Sequence, residues 1–373
     1  MNPATRFPRF LAVALLGALL QTPLPASPGS AIDLLLAVGP EGAGNEPASG
    51  AWKELVNSGT ASIPAILEAS GKASPVAANW LRLAATALVE RARNSGSPIS
   101  LVPMEAALSQ ASLPAPQRLL AFDLLQLADP GRAKEIEPDL ADDPVQELRR
   151  GAVQRLIETA KTLEGDSAKA AYLKALQAAR DEDQTQAVAE ALEKLGNPVD
   201  LQKHFGFLTR WHVLGPFENT DRSGFETAFP PEKKIDLEAA YPGKAGEIRW
   251  QPFSSQDPRG KVDFNKPLGL LKEATAYATT LFHSETARTA ELRLGCKNAW
   301  KVWLNGQLLF SRDEYHRGQQ MDQYKLPCTL RKGPNTLLIK CCQNEQKETW
   351  TVEWEFQLRV CDSAGTAILS TQN

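Results

Sequence analysis

Two spacings of hydrophobic positions divide the chain. From about residue 32 to 196, apolar side chains recur every three or four residues, as on one face of an α-helix. In DDPVQELRRGAVQRLIETAKTLEG the stripe is Val145, Leu148, Ala152, Leu156 and Ala160. Asp143 is placed to cap free N–H groups, Pro144 suits the first helical position and Gln146 completes a capping box. Gly165 reads as the stop. SPVAANWLRLAATALVERARNSG repeats the design between Ser74–Pro75 and Gly96. Short Pro, Gly and Asp turns join such segments into helix pairs, and Gly196-Asn197-Pro198 ends the last of them.

From HFGFLTRWHVLGPF onward the period falls to two. Short runs such as RWHVLGPF, TAYATTLFHS, TAELRLG, NTLLIKCCQN and TVEWEFQLRVCD alternate with turn residues, the pattern of an antiparallel β-sandwich. Trp211, Trp250, Trp300, Trp303, Trp350 and Trp354 all lie here. The change of period places a domain boundary between Gly196 and His204. AWKVWLNGQLLF predicts a hairpin, because Asn305-Gly306 suits a type I′ turn. A two-residue loop would pair Leu304 with Gln307, Trp303 with Leu308, Val302 with Leu309 and Lys301 with Phe310. Both faces then carry apolar residues. One meets the sandwich core, and the Trp303 face needs cover from loops, the helical domain or a ligand.

Composition narrows the partners. The 373 residues are 43% hydrophobic and 23% charged, with a net charge of −3 and both signs interspersed. Nothing in this balance points to nucleic acid or an anionic membrane. The first 31 residues read as a secretory signal: Arg6 and Arg9, the apolar run Phe10 to Leu20, then small residues with Ala26 or Ala31 as cleavage points. The apolar run is too short to span a bilayer. Export to a periplasmic, cell-surface or extracellular location follows. Cys296, Cys328, Cys341, Cys342 and Cys361 lack metal-ligand spacing and read as thiols of a β core. Adjacent Cys341 and Cys342 on a strand should face opposite ways.

Catalytic motifs are absent from the sequence. It contains no Gly-x-Ser-x-Gly, His-Glu-x-x-His or P-loop, and the Gly-x-Gly in VGPEGAGNEPASG lacks the remainder of a dinucleotide fingerprint. His204, His212, His283 and His316 are scattered. His316 is the best functional candidate, and His212 sits on an apolar strand. Adjacent Asp313 and Glu314 cannot show the separation that glycoside hydrolysis requires. The chain is therefore expected not to be an enzyme.

AWKVWLNGQLLF, LRKGPNTLLIKCCQ and WEFQLRVCDSAG together resemble the galactose-binding-like jelly roll, the sugar-binding domain of family 2 glycoside hydrolases. Its marks are Val302 to Gly306 and Leu330, Gly333 and Asn335, and the likeness spans about 205–369. TASIPAILEAS and ADDPVQELRRGAVQRLIETA resemble HEAT-type repeats. GFLTRWHVLGPFENTDRSGFETAFPPEK is similar to the start of this module in exported bacterial proteins that place helical repeats before it. The resemblance implies an α-then-β chain: signal peptide 1–31, HEAT-like helical domain 32–200 and galactose-binding-like sandwich 201–373. It implies a non-catalytic exported adaptor whose sandwich binds carbohydrate and whose helices bind a protein partner. The alternatives are a purely structural envelope protein and, last, a small glycan hydrolase. Ligands of such jelly rolls meet loops at one end, which selects Trp211, Asn219, Asp221, Arg222, Tyr315, His316, Gln343 and Trp350. The polar loop after the hairpin, SRDEYHRGQQMDQYKLP, suits either a sugar or its own internal hydrogen bonds. A structural calcium ion, common in the fold, would fall to Asp257 and Asp263 or to Asp221. No cofactor is expected otherwise.

Overall fold

The computed structural model describes residues 28–372, so most of the leader read over 1–31 lies outside the described residues. Ala31, the later of its two cleavage points, is buried inside the first helix. The chain divides into two compact units, Met1–Pro130 and Gly131–Asn373.

The described part of the first unit is helical: α1 (Pro28–Leu36), α2 (Asn45–Asn57), α3 (Ile63–Ser70), α4 (Pro75–Ser95), α5 (Val102–Ser109) and α6 (Ala115–Ala128). Ser74 opens α4 by accepting the Ala77 N–H at 3.2 Å, and Gly96 closes it at φ +68°. Leu35, Leu55, Ile66, Leu81 and Leu124 form the buried stripe that packs these helices together.

The second unit begins with α7 (Pro130–Ile136), α8 (Gln146–Lys161), α9 (Gly165–Ala178) and α10 (Glu182–Lys194). The expected capping box does not form at α8. Asp143 Oδ1 instead accepts the Val145 N–H at 2.9 Å, closing a turn ahead of the helix and leaving Pro144 outside it. Gly165, at φ +57°, opens α9 rather than stopping α8.

The switch to strands comes after the short helix α11 (Leu201–Phe205). A six-stranded antiparallel sheet runs in the order β4-β1-β6-β11-β8-β9 and a four-stranded one in the order β10-β7-β12-β5. The strands are β1 (Arg210–Glu218), β2 (Ala240–Gly243), β3 (Gly246–Arg249), β4 (Gln251–Ser254), β5 (Val262–Asp263), β6 (Ala274–Ser284), β7 (Arg288–Cys296), β8 (Ala299–Leu304), β9 (Gln307–Arg312), β10 (Tyr324–Leu330), β11 (Gly333–Gln343) and β12 (Glu355–Cys361). Alternate residues from both sheets, among them Val213, Ala276, Trp300, Val302, Ile339, Leu292, Leu294, Phe356 and Leu358, fill one core. Cys296 and Cys341 join it with free thiols, their Sγ atoms 3.9 Å apart, while Cys342 turns to the opposite face.

The helices α8 to α10 belong to this same compact unit, although the sequence places its change of period near residue 200. Arg180 Nε donates to Thr366 Oγ1 at 2.9 Å, Arg259 pairs with Glu182 at 2.9 Å, and His204 Nε2 lies 3.1 Å from the Ala179 carbonyl.

The hairpin forms, with Asn305 at φ +54° and Gly306 at φ +82°. Its register departs from expectation after two pairs: Leu304 faces Gln307 and Trp303 faces Leu308, but Val302 faces Phe310. Leu309 is thus an extra residue, a β-bulge. The shift carries Phe310 to the core face, where its ring lies 5.2 Å from that of Trp300. Asn335 ties the turn to β11. Its Oδ1 accepts from Asn305 Nδ2 at 3.0 Å and from the Arg331 N–H at 2.8 Å, and Asn305 Oδ1 accepts the Thr336 N–H at 3.0 Å. That network is the physical content of the Gly333-x-Asn335 motif.

The Trp303 face is covered by a third layer from within the unit. The β2–β3 ribbon and the residues flanking it lay Tyr241, Trp250, Phe229, Ile235 and Ile248 over Leu214, Phe217, Tyr277, Trp303 and Leu338.

Candidate functional site

One end of the sandwich gathers three loops: the one after β1, the one after β9 and the one between β11 and β12. Their joint foundation is buried. Asn219 is fully enclosed, and its Nδ2 donates to the Gln343 carbonyl at 2.8 Å and to Tyr315 Oη at 3.4 Å. Gln343, equally enclosed, spans the third loop. Its Nε2 donates to the Thr351 carbonyl at 3.0 Å, and its Oε1 accepts from Asn298 Nδ2 at 3.3 Å and from the Asn344 N–H at 3.1 Å.

The accessible layer stands on that base. The Arg222 guanidinium lies over the Tyr315 ring at 5.2 Å and is held by Glu345 at 2.6 Å. His316 Nε2 meets Asn344 Oδ1 at 2.9 Å. The His316 ring abuts Trp350 edge-on at 5.4 Å. Trp350 is 57% exposed and is the only exposed tryptophan among the described residues. The ring is held by a neighbour while much of it stays in water, so it offers an accessible apolar surface at this end.

The electrostatics favour fixed charges. Arg222, hydrogen-bonded to Glu345, holds that carboxyl below its ordinary value. Arg312 likewise lowers Glu314, with a smaller part from Arg317. Hydrogen bonds from Thr220 and then from Lys244 bring Glu218 down to about 2. Burial lowers His316 more than its bond to Asn344 raises it, and Lys272, Lys297 and Arg222 add to the lowering.

A folded pKa below the usual 6.5 means that the neutral ring supports this loop fully above pH 6.5. That support is lost as pH falls through the folded value. Trp350 fluorescence, isolated by difference against Trp350→Phe, should therefore titrate with a midpoint below 6.5. A midpoint at or above 6.5 would contradict burial as the governing effect.

The eight residues selected from sequence separate into three groups. Asp221, Arg222, Tyr315, His316 and Trp350 lie on the three loops as accessible or half-buried groups. Asn219 and Gln343 are buried braces that shape the loops from below. Trp211 is not part of this end. The alternation of β1 points it into the core, with its ring 5.0 Å from Phe356 and its Nε1 donating to the Leu208 carbonyl at 2.7 Å. Tyr324, at the far end of the polar loop SRDEYHRGQQMDQYKLP, packs away from Tyr315 and His316, against Trp300 at 5.1 Å. Asn344, Glu345 and Gln346 were not singled out. They sit among ordinary polar residues, and only the fold brings them against Arg222 and His316.

The proposed calcium ligands cap turns. Asp257 Oδ1 accepts the Arg259 N–H at 2.8 Å and Asp263 Oδ1 the Asn265 N–H at 2.9 Å. Among the described residues no three His, Cys, Asp or Glu side chains are grouped as metal ligands. A separate concavity of about 860 Å³ lies on the outer side of β4, β1 and β6, with His212, His283, Leu237, Phe253 and Leu281 in its lining.

No protein-family model and no curated protein sequence matches the chain. Solved structures give weak likenesses. The PA14 sugar-binding domain from an RTX adhesin aligns with 41% of this chain and 89% of its own, at 13% identity and a TM-score of 0.23. The PA14 domain of the MpAFP antifreeze protein aligns with 45% of this chain and 76% of its own, at 7% identity and a TM-score of 0.19. The β-glucosidase from Kluyveromyces marxianus in complex with glucose aligns with 74% of this chain and 36% of its own, at 12% identity and a TM-score of 0.28. Likenesses this weak establish neither a family nor a ligand.

Proposed function

We propose that the protein is an exported, non-catalytic binding protein whose galactose-binding-like sandwich takes carbohydrate at the three-loop end, while its HEAT-like helices meet a protein partner. The observation that carries the carbohydrate reading is Trp350. Its exposed ring, fixed by His316, offers an apolar platform of the kind on which the C–H face of a sugar stacks. Arg222, Asn344, Glu345 and Gln346 supply donors and acceptors for hydroxyls nearby. Inward support from Asn219 and Gln343 pre-organises the loops, which limits the entropy lost on binding.

The non-catalytic part rests on the carboxylates. A glycosidase needs an acid whose pKa is raised beside a second carboxylate. Glu345 and Glu314 are each lowered by an arginine at 2.6 Å. The competing reading, a self-satisfied structural end, is favoured by the same internal bonds.

A glycan array followed by calorimetry on the full chain decides between them. Trp350→Ala should weaken a detected glycan by about tenfold or more, as for an exposed aromatic anchor, with no change in thermal midpoint. Absence of any glycan binding by the folded protein would leave the structural reading. Binding that survives Trp350→Ala and falls in Leu281→Ala would move the site to the 860 Å³ concavity.

A further inference from the structure

A second concavity, of about 240 Å³, lies within the second unit where the N-terminal ends of α8 and α10 meet the sheet edge formed by β7 and β10. Arg149 from α8, Arg180 from the turn before α10, Arg293 from β7 and Lys325 from β10 line it. Arg149 is the unusual member. It is 4% exposed, its Nη1 donates to the Asp143 carbonyl at 2.9 Å, and its buried Nε has no partner. Among the described residues no carboxylate forms an ion pair with it.

The acids around the cavity are already engaged. Asp322 is held by Arg293 at 3.0 Å and Arg359 at 2.5 Å, Asp181 by Gln146 at 2.6 Å and Arg150 at 3.5 Å, and Glu182 by Arg259 at 2.9 Å. Arg180 is paired with Asp142 at 3.0 Å, a residue whose side chain is itself open to solvent. Burial and then the neighbouring Arg180 lower the Arg149 pKa against the carboxylates of Asp181 and Asp143, which act on the guanidinium without contacting it. A buried guanidinium with no contacting carboxylate is costly. An anion entering the cavity would remove that cost and meet two helix N-termini whose dipoles also favour negative charge.

We propose that this cavity binds an oxyanion, a phosphate or carboxylate group, with Arg149 as its principal ligand and Lys325 at its mouth. The volume equals that of about eight liquid waters, which accommodates inorganic phosphate or the carboxylate end of a sugar acid. The guanidinium fork suits either group. The site is separate from the three-loop end and stands whether or not that end binds glycan.

The test is calorimetric titration of the full chain with inorganic phosphate and, in parallel, with galacturonate and uncharged galactose. Saturable binding of phosphate, or of galacturonate but not galactose, is expected, and the pair of titrations separates a free ion from an acidic sugar. Arg149→Met should weaken binding by about tenfold or more and Lys325→Gln by roughly threefold, in keeping with charge-assisted bonds to a buried and an exposed cation. Lys325 is exposed and its loss leaves the fold intact, so it decides the matter if Arg149→Met fails to fold. Failure of both anions to bind the folded wild type overturns the proposal. So does binding that Lys325→Gln and any folded Arg149→Met leave unchanged.

Discussion

Replacing Lys340 with alanine is expected to destabilise the second unit by about 3–5 kcal/mol, the cost of breaking a buried ion pair from one side. Lys340 lies on β11 in the middle of the six-stranded sheet and is fully buried. Its Nζ donates to the Phe225 carbonyl at 3.0 Å, the Thr227 carbonyl at 2.8 Å and Glu232 Oε1 at 2.8 Å. Tyr277 Oη donates to the same Glu232 oxygen at 2.5 Å. The lysine thus pins the segment that carries Phe229 and leads into the β2–β3 ribbon, so its loss loosens the layer over Trp303. Burial lowers its pKa below the ordinary lysine value, more than Glu232 raises it.

Urea unfolding followed by tryptophan fluorescence reads the change, since six of the eight tryptophans belong to this unit. A Glu232→Gln partner variant closes a double-mutant cycle with an expected coupling of about 0.5–3 kcal/mol. A loss below about 1 kcal/mol in Lys340→Ala, the size of an ordinary surface effect, would refute the bracing role.

Asp322→Ala should be comparably damaging, by about 3–5 kcal/mol, because it strands two buried guanidinium groups. Asp322 ends the long loop after β9. It accepts from Arg359 Nε at 2.8 Å, Arg359 Nη2 at 2.5 Å and Arg293 Nη1 at 3.0 Å. Burial alone would raise its carboxyl, but the arginines together hold it below the usual carboxylate value.

The sign follows directly. The stabilisation is fully present above pH 3.8 and is lost as pH falls through the lower folded value. Wild type should keep its fold further into acid than Asp322→Ala, and equal acid midpoints would exclude the ion pairs as a stabilising device. The variant should also weaken any ligand at Tyr315 and His316, since the loop that carries them loses its anchor.

Much of the architecture was legible in the sequence, and the reasons are local. Asn305-Gly306 fixes a turn through positive φ, and the alternation of β1, β6 and β11 sorts inward from outward side chains over many residues. The bulge at Leu309 escaped notice because nothing in QLLFSR distinguishes an extra residue from a paired one. The cover over Trp303 escaped because β2 and β3 are four-residue strands of mixed polarity, and Pro242 inside β2 reads as a strand breaker. The candidate site was half legible. Tyr315, His316 and Trp350 are conspicuous by type, but the pairing of Arg222 with Glu345 spans 123 positions of chain and has no sequence mark. Trp211 misled because an aromatic near a loop in sequence can still point inward on its strand.

The two outermost strands on this side of the molecule are consecutive in sequence, β9 in one sheet and β10 in the other, and each has a neighbour on one side only. Such edges invite strands from other copies to add on. The bulge at Leu309 kinks the first edge. Pro327, opposite Glu291 in β10, removes a donor from the second, where Lys325 also adds charge. The residue that broke the simple hairpin register is therefore also one of the features that keep a sheet-rich, tryptophan-rich unit from polymerising through its edges.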